Sequence, residues 1–452
     1  MHMKKMENKS VFAAVLFYAA AMGSHAEVKV ERSPLEIGTA LDIGQIINGA
    51  SSPTTHDPSD GQMIQRTAVY LNQLTTVNDR LLIKVGVGGL FFYSYPESQN
   101  DPASRAVRFG PGVGQAQGIY KVGDLDNPSC IFQFGYFPYK YNPDAKNLGE
   151  YLIRSGTYPG YEVTGGWSII NSALYMASGL RINGKFLSGK LSADLNVFME
   201  RDLEPNHDLS PSIVLAYKPT PLFEVGAGAE FSHLVPIIPS QTKSKGTFYL
   251  NDTLADPTTP GAKHLTFQGI KLMARASANF GSLLNHPMIG EEGLKLYTEA
   301  AILGVQNYPY YYDNIWQRIP VLLGLNLPTL GFFDVLAVEG EYRKWPFPNN
   351  TTQIVDNNLE PIYDLPQPDP NNPLDVKTYN PRHHPDSVFS SDENLKWTIY
   401  VKKRLMPGIA IYAQAASDYF RGIRWEDNAL DREPITREYR QWYYLFRLEF
   451  GI

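Results

Sequence analysis

The amino-acid sequence predicts an all-β fold: a transmembrane antiparallel up-and-down β-barrel of about sixteen strands, with short turns at one rim and long loops at the other. Three observations carry this. The first is the final stretch, where Trp442, Tyr444, Phe446, Leu448, Phe450 and Ile452 alternate with Tyr443, Leu445, Arg447, Glu449 and Gly451. A period of two makes a strand with one apolar and one mixed face. The second is that this rhythm recurs along the chain, with connections that alternate between short and long. The third is that after the N-terminal segment no apolar run approaches the roughly 18 residues that a membrane helix needs, and only helices or closed barrels can span a bilayer.

In chain order, Leu35, Ile37, Thr39, Leu41 and Ile43 face one side while Glu36, Gly38, Ala40, Asp42 and Gly44 face the other. A strand near 64–76 meets the tight turn Asn78-Asp79 and continues as 80–93, a hairpin. Further strands are expected near 105–121, 129–140, 166–182, 187–201, 210–218, 222–233 and 265–280. The rest fall near 294–306, 316–327, 334–345, 394–404, 409–420 and 438–452. Short connections fall at Val77–Asp79, Asn183–Gly184, Pro219–Pro221, Pro328–Phe333 and Leu405–Gly408, with Gly281–Gly293 a longer one in the same series. Long ones fall at 50–63, 94–104, 141–165, 234–264, 307–315, 346–393 and 421–437, with 202–209 brief among them. The glycine runs 86–89 and 110–114 precede no helical pattern, so they read as strand rather than as phosphate loops.

Lys4, Lys5 and Lys9 precede the apolar run Val11–Met22, and Ser24 and Ala26 are small residues before a cut after Ala26. This predicts a secretory signal peptide over 1–26 and one barrel domain over 27–452. Removing three Lys and one Glu changes the formal charge from −6 to −8, with no basic stripe, which argues against a nucleic-acid partner. Cys130 stands alone, so no intrachain disulfide is expected, and it reads as a small buried side chain at a strand start.

The last strand, with its alternating apolar residues and near-terminal aromatic, resembles the closing strand of bacterial outer-membrane β-barrels, and the strand number resembles sixteen-stranded porins. The resemblance implies an outer-membrane location, with outer-membrane lipid, the barrel-assembly machinery and small hydrophilic solutes as partners, a homo-oligomer as a further one, and no cofactor. It implies periplasmic turns and extracellular loops, and makes Trp442, Tyr444, Phe446, Leu448, Phe450 and Ile452 the assembly signal. It also implies that the third long loop, 141–165, folds into the lumen and narrows it, which assigns the constriction to Asp144, Lys146, Glu150 and Arg154. From the residues alone, an external loop helix stays open: Asp144 can cap a short helix that carries the other three, with Glu150 and Arg154 a favourable pair.

Ionisable groups fall on the face opposite the apolar one. They include Lys84, Asp194, Glu200, Glu224, Glu230, Lys271 and Arg275, then Glu339, Glu341, Arg343, Lys396, Lys402, Arg447 and Glu449. A Lys or Arg facing lipid at mid-membrane costs roughly 2–4 kcal/mol, so this face is expected to line a pore. Either the lumen is wet, or these groups pair with one another and fill a blocked barrel. The function expected is a channel for passive diffusion of small hydrophilic solutes. The alternative is a surface adhesin or structural barrel that binds polysaccharide or protein through loops 234–264 and 346–393. An enzyme is not expected, because Ser232 and His233 are strand neighbours that point to opposite faces. No metal site is expected: His383-His384 diverge, and the acidic residues of 346–393 match no calcium spacing. Tyr308, Tyr310, Tyr311, Tyr312 and Trp316 read as part of an interfacial aromatic girdle.

Overall fold

In a computed structural model of the protein, the described residues are 28–49, 63–93, 107–155, 175–200, 207–239, 266–284, 293–305, 314–344, 394–420 and 438–451, with short pieces at 248–250, 253–254, 260, 263–264, 289 and 436. The strands are β1 (Val30–Arg32), β2 (Glu36–Asn48), β3 (Met63–Val77), β4 (Leu81–Tyr93), β5 (Val107–Gly123), β6 (Pro128–Tyr139), β7 (Tyr175–Phe186), β8 (Leu191–Met199), β9 (Leu209–Tyr217) and β10 (Phe223–Ser232). Then come β11 (Phe248–Leu250), β12 (Thr253–Leu254), β13 (Lys263–His264), β14 (Gly269–Asn279), β15 (Lys295–Ile302), β16 (Val321–Asn326), β17 (Val335–Tyr342), β18 (Leu395–Met406), β19 (Ile409–Ser417) and β20 (Trp442–Gly451). β2–β10 and β14–β20 pair antiparallel, each with its neighbours in sequence, and β20 pairs back onto β2, so sixteen strands close into a barrel. β1 adds to the end of β3, and β11–β13 form a separate small sheet. Among the described residues no helix is long and apolar enough to cross a membrane.

Closure satisfies every edge of the sheet, which a lipid-facing wall requires. Side chains sort by the strand period. Ile43, Val85, Val225, Leu323 and Phe446 lie on the outside, where Leu323 is 58% and Phe446 54% exposed. Bare apolar groups at this density suit lipid rather than water. The half-buried Cys130 sits in β6 beside the inward Ile131 and so points outward, not into a core.

The β2–β20 seam is held from inside by charge. The Arg447 guanidinium donates to both oxygens of Asp42, at 2.6 and 2.8 Å, and Arg66 of β3 pairs with the same carboxylate at 3.3 Å. All three are buried in the lumen wall. Two guanidiniums sharing one carboxylate clasp three consecutive strands around the closure.

Two expectations need correction. The β7–β8 turn is not at Asn183–Gly184 but at 187–190, where Leu187, Ser188 and Gly189 take left-handed φ angles of 52, 56 and 84°. The ladder runs on through Asn183 because that residue pairs with Asp194 and its side chain donates to the Asp194 carboxylate at 2.8 Å. The strand expected at 316–327 starts only at Val321: a 3-10 turn, Ile315–Arg318, precedes it, with the Asn314 side chain accepting from Trp316 N. Of the strand expected at 166–182, residues 166–174 lie outside the described residues. The turn at Asn78-Asp79 is as expected, with consecutive left-handed φ angles of 49 and 58° that Asn and Asp accept readily.

Removing the shared carboxylate leaves two buried cations facing each other. Asp42→Ala is therefore expected to lower stability by about 3–5 kcal/mol. Urea titration followed by the gel shift between folded and heat-unfolded barrel reads this directly.

Candidate functional site

At Tyr139 the chain leaves β6 and residues 140–155 run into the lumen. They are gripped by side chains of β14, β15 and β17, and β17 stands half the circumference away from β6 in either direction. The segment is thus a strap across the barrel.

Three wall residues hold it by its backbone. Glu339 of β17 accepts from the amides of Lys146, Asn147 and Leu148, the latter two at 2.8 and 2.9 Å, and from the Tyr297 hydroxyl at 2.8 Å. Three consecutive N–H groups turned to one point make an anion-binding concavity, filled here by the protein's own carboxylate. Tyr297 can reach Glu339 because its ring lies over Gly324; a Cβ there would sit 2.1 Å from the ring. Glu299 of β15 accepts from the Tyr141 hydroxyl and the Asn142 amide nitrogen, both at 2.6 Å, and from Tyr151 N at 3.0 Å. Lys271 of β14 donates to the carbonyls of Leu152 and Ser155, at 2.7 and 2.9 Å, and pairs with Glu230 of β10 at 2.9 Å.

Within the strap, Glu150 accepts from Tyr141 N at 3.1 Å and pairs with Arg154 at 3.0 Å and Lys140 at 3.7 Å. Arg154 also donates to the Asn147 carbonyl, and Asp144 pairs with Lys295 of β15. The Tyr151 hydroxyl donates to Glu341 at 3.0 Å. One side of the strap is packed dry: Tyr141, Leu148, Tyr151 and Leu152 bury against Phe137, Phe198, Val214, Met273 and Leu322 of β6, β8, β9, β14 and β16. At the other side the Asn147 side chain donates to Thr398 and to Asp418, both at 2.7 Å.

The loop does enter the lumen, but not as a helix capped by Asp144. The helix is only Tyr151–Arg154, and Glu150 occupies its N-cap position with a left-handed φ of 61° and no capping bond. The preceding amides cannot serve a helix because Glu339 binds them, and Gly149, at φ +84°, breaks the path before it. The expected Glu150–Arg154 pair is present. Residues 156–165 lie outside the described residues, as do 1–26, 346–393 (with His383 and His384), Tyr308, Tyr310, Tyr311, Tyr312 and Ile452.

The inward charges are mostly engaged rather than free. Asp194 is bound by Arg181 at 2.9 Å, Arg275 by Glu224 at 2.6 Å, and Arg447 by Asp42; Glu339 and Glu341 face the strap. Arg343 is buried just beyond β17, and its backbone N donates to Asn394. Lys396 lies over the Tyr419 ring at 4.0 Å, Lys402 over Tyr412 at 5.3 Å, and Glu449 accepts from Tyr70 at 3.3 Å. Lys84 is half-buried on the inner face of β4, beside Gly86 and Gly88. Sequence reasoning missed Glu299, Asn147, Tyr141, Tyr151 and Asp418 as strap contacts. Glu299 had a signal, a lone carboxylate at an inward position of a strand between Tyr297 and Ala301; the others had none.

At the long-loop rim, Ser232 donates to Glu230 at 2.8 Å, while the His233 ring nitrogen pairs with Asp208 at 3.2 Å. The neighbours engage different partners, so they form no nucleophile–base couple. Burial holds the His233 imidazole below its ordinary value of 6.5, against the opposing pull of Asp208.

No family model and no curated protein sequence matches the chain. Among solved structures it is similar to a variant of Rh. blastica porin, at 7% identity and a TM-score of 0.44, over 93% of this chain and 100% of that one. A triple mutant of Rhodopseudomonas blastica porin gives 7% identity and a TM-score of 0.43 over the same shares. The strand pairing of this chain, with its closed circle of sixteen, stands without them. The architecture is that of a closed antiparallel barrel of sixteen strands.

Glu339→Ala orphans three buried amides, each at a cost of about 1–3 kcal/mol, so amide protection at 146–148 is expected to fall roughly ten- to hundred-fold in hydrogen exchange. The folded His233 stays neutral where the unfolded one protonates, so its contribution is present above pH 6.5 and is lost as pH falls from there toward the lowered folded value. The unfolding midpoint is expected to fall between about pH 7.5 and 5.5, and less steeply in His233→Gln.

Proposed function

We propose that this protein is an outer-membrane channel through which small hydrophilic solutes diffuse passively. The observation that supports this best is a charged, hydrogen-bonding interior enclosed by a closed wall whose outer face is apolar. Such a wall is stable only with lipid outside, and the polar interior needs water or paired groups within. Near the short-turn rim the inward residues Asn72, Lys84 and Gln115 keep water contact, which makes a vestibule that leads to the strap. The strap then sets the narrowest section, and Asp144, Lys146, Glu150 and Arg154 act there by fixing its shape.

In this reading residues 1–26 are a signal peptide that directs export, and the outward row Trp442, Tyr444, Phe446, Leu448 and Phe450, with Ile452, is what the barrel-assembly machinery engages. The short turns face the periplasm and the long loops the exterior, with no chemistry performed on the solute. A homo-oligomer in the membrane is compatible with the outer belt.

Reconstitution into liposomes tests the proposal. Vesicles loaded with a large polysaccharide are expected to swell in isotonic solutions of a small sugar such as arabinose, faster than protein-free vesicles. If arabinose and small ions are both excluded while polysaccharide binds the loops, the adhesin reading replaces the channel.

A further inference from the structure

The strands of the wall differ widely in length, and the shortest stand together. β16 has six residues and its neighbours β15 and β17 eight each, against fifteen in β3 and seventeen in β5. A strand that crosses a bilayer at the usual tilt needs about 9–11 residues. β16 is therefore several residues too short for the apolar band of about 25 Å that a membrane barrel presents to lipid. Something beyond the strand must complete the wall in this sector.

What continues the sector is apolar. At the short-turn rim the connection from β16 to β17 carries Leu330, Phe332 and Phe333, with Leu330 61% and Phe332 76% exposed. Its shape is fixed by its own backbone: Phe332 N donates to the Thr329 carbonyl at 3.0 Å, and Leu327 N to the Leu336 carbonyl at 2.8 Å. It also leans outward. Lys402 of β18 lies over the inward Tyr412, so Lys403 beside it faces out. The Lys403 ammonium donates to the Gly331 carbonyl at 2.9 Å and pairs with Asp334 at 3.8 Å, which draws the turn onto the outer surface. Leu405 and Met406, at the end of the same strand, extend the bare apolar rim. Beyond the other end of β16, exposed Ile315 and Trp316 lengthen the sector again. Diametrically opposite, eight strands away in either direction, the β5–β6 turn carries exposed Asp124 and Asp126. The strands there are long enough to cross lipid and end in water.

Resting on the membrane setting of the proposed function, we infer that the β16–β17 turn is a lipid anchor. Leu330, Phe332 and Phe333 enter the phospholipid leaflet on the short-turn side and make up the length that β16 lacks. Continuity identifies lipid as the occupant: the outward faces of β16, β17 and β18, with Leu323, Val338 and Ile399 exposed, lead to the turn without a charge until Lys403. Lys403 and Asp334 neutralise each other there, so the turn brings no unpaired charge of theirs into the leaflet. The barrel consequently sits deeper in the bilayer at β16–β17 than at Asp124 and Asp126.

The test uses the full-length protein in vesicles of phosphatidylcholine and phosphatidylglycerol, with Cys130→Ser as background. Phe332→Cys, Asp126→Cys and Leu323→Cys each carry a nitroxide, and the gel shift on heating confirms that each variant is folded. Power saturation then compares collision with oxygen, which concentrates among acyl chains, and with a nickel chelate, which stays in water. The oxygen-to-nickel ratio at Phe332→Cys is expected to exceed that at Asp126→Cys at least about tenfold, a difference of about 1.4 kcal/mol. A ratio equal to that at Asp126→Cys would place the turn in water and overturn the anchor. Low collision with both reagents would mean that a second copy or another protein covers the turn, which overturns it equally. Leu323→Cys, at mid-wall, separates the two levels of the reading. Nickel access there would refute the membrane setting itself, whereas oxygen access there with nickel access at Phe332→Cys would refute the anchor alone.

Discussion

A sheet in lipid cannot leave an edge, and the seam where β2 meets β20 is where this protein meets that constraint. The ladder there joins Gly38 through Asn48 to Gly451 through Trp442, and the Asp42–Arg447 pair bridges residues 405 apart in sequence. Everything else presupposes this closure: the sorting of side chains into an oily outside and a polar inside has meaning only once the wall is a ring. The clasp is charged and lies inside, where Arg66 adds a second cation to the same carboxylate. A buried ion pair adds little net stability by itself, but breaking it strands charges in a low-dielectric wall. It therefore acts chiefly against misregister, since a slip of either strand by one residue would turn its partner in the pair, Asp42 or Arg447, toward lipid.

The strap reuses the same chemistry for a different purpose. Inward acids that parity alone would leave facing solvent serve instead as receptors for backbone: Glu339 for three amides, Glu299 for one amide and two side chains. Lys271 does the complementary work on two carbonyls. An irregular segment inside a barrel has unsatisfied N–H and C=O groups by default, and charged side chains of the wall are the strongest available partners. The strap is consequently held by polar bonds and apolar packing together, with Leu148, Tyr151 and Leu152 buried beside the Glu299 and Lys271 contacts.

Much of this was legible in the sequence, because six large apolar groups set two residues apart in the last strand fit a lipid-facing wall and hardly anything else. The strand number, the alternation of connections and the inward placement of Lys271, Glu339 and Arg447 follow from parity alone. What parity cannot supply is partnership. It places Asp42 and Arg447 on the inside without saying that they are neighbours, since that depends on which strands flank the seam. It reads Asn183-Gly184 as a turn because the residues favour one, whereas the Asn183–Asp194 pairing carries the ladder three residues further, to Phe186. It reads 144–154 as helical because the charges are spaced that way, whereas Glu339, nearly two hundred residues distant, takes the amides the helix would have needed.

A strap fixed at one end by the covalent chain at β6 and at the other by Glu339 on the opposite strand is also a spoke. A thin sheet rolled into a hoop is stiff along its strands but bends readily across them, so its easiest distortion is to flatten into an oval. A spoke set on the diameter resists that deformation in the direction it spans and leaves the perpendicular one to the turns and rims. The cross-section of this hoop is therefore braced rather than elastic along the diameter that the strap spans.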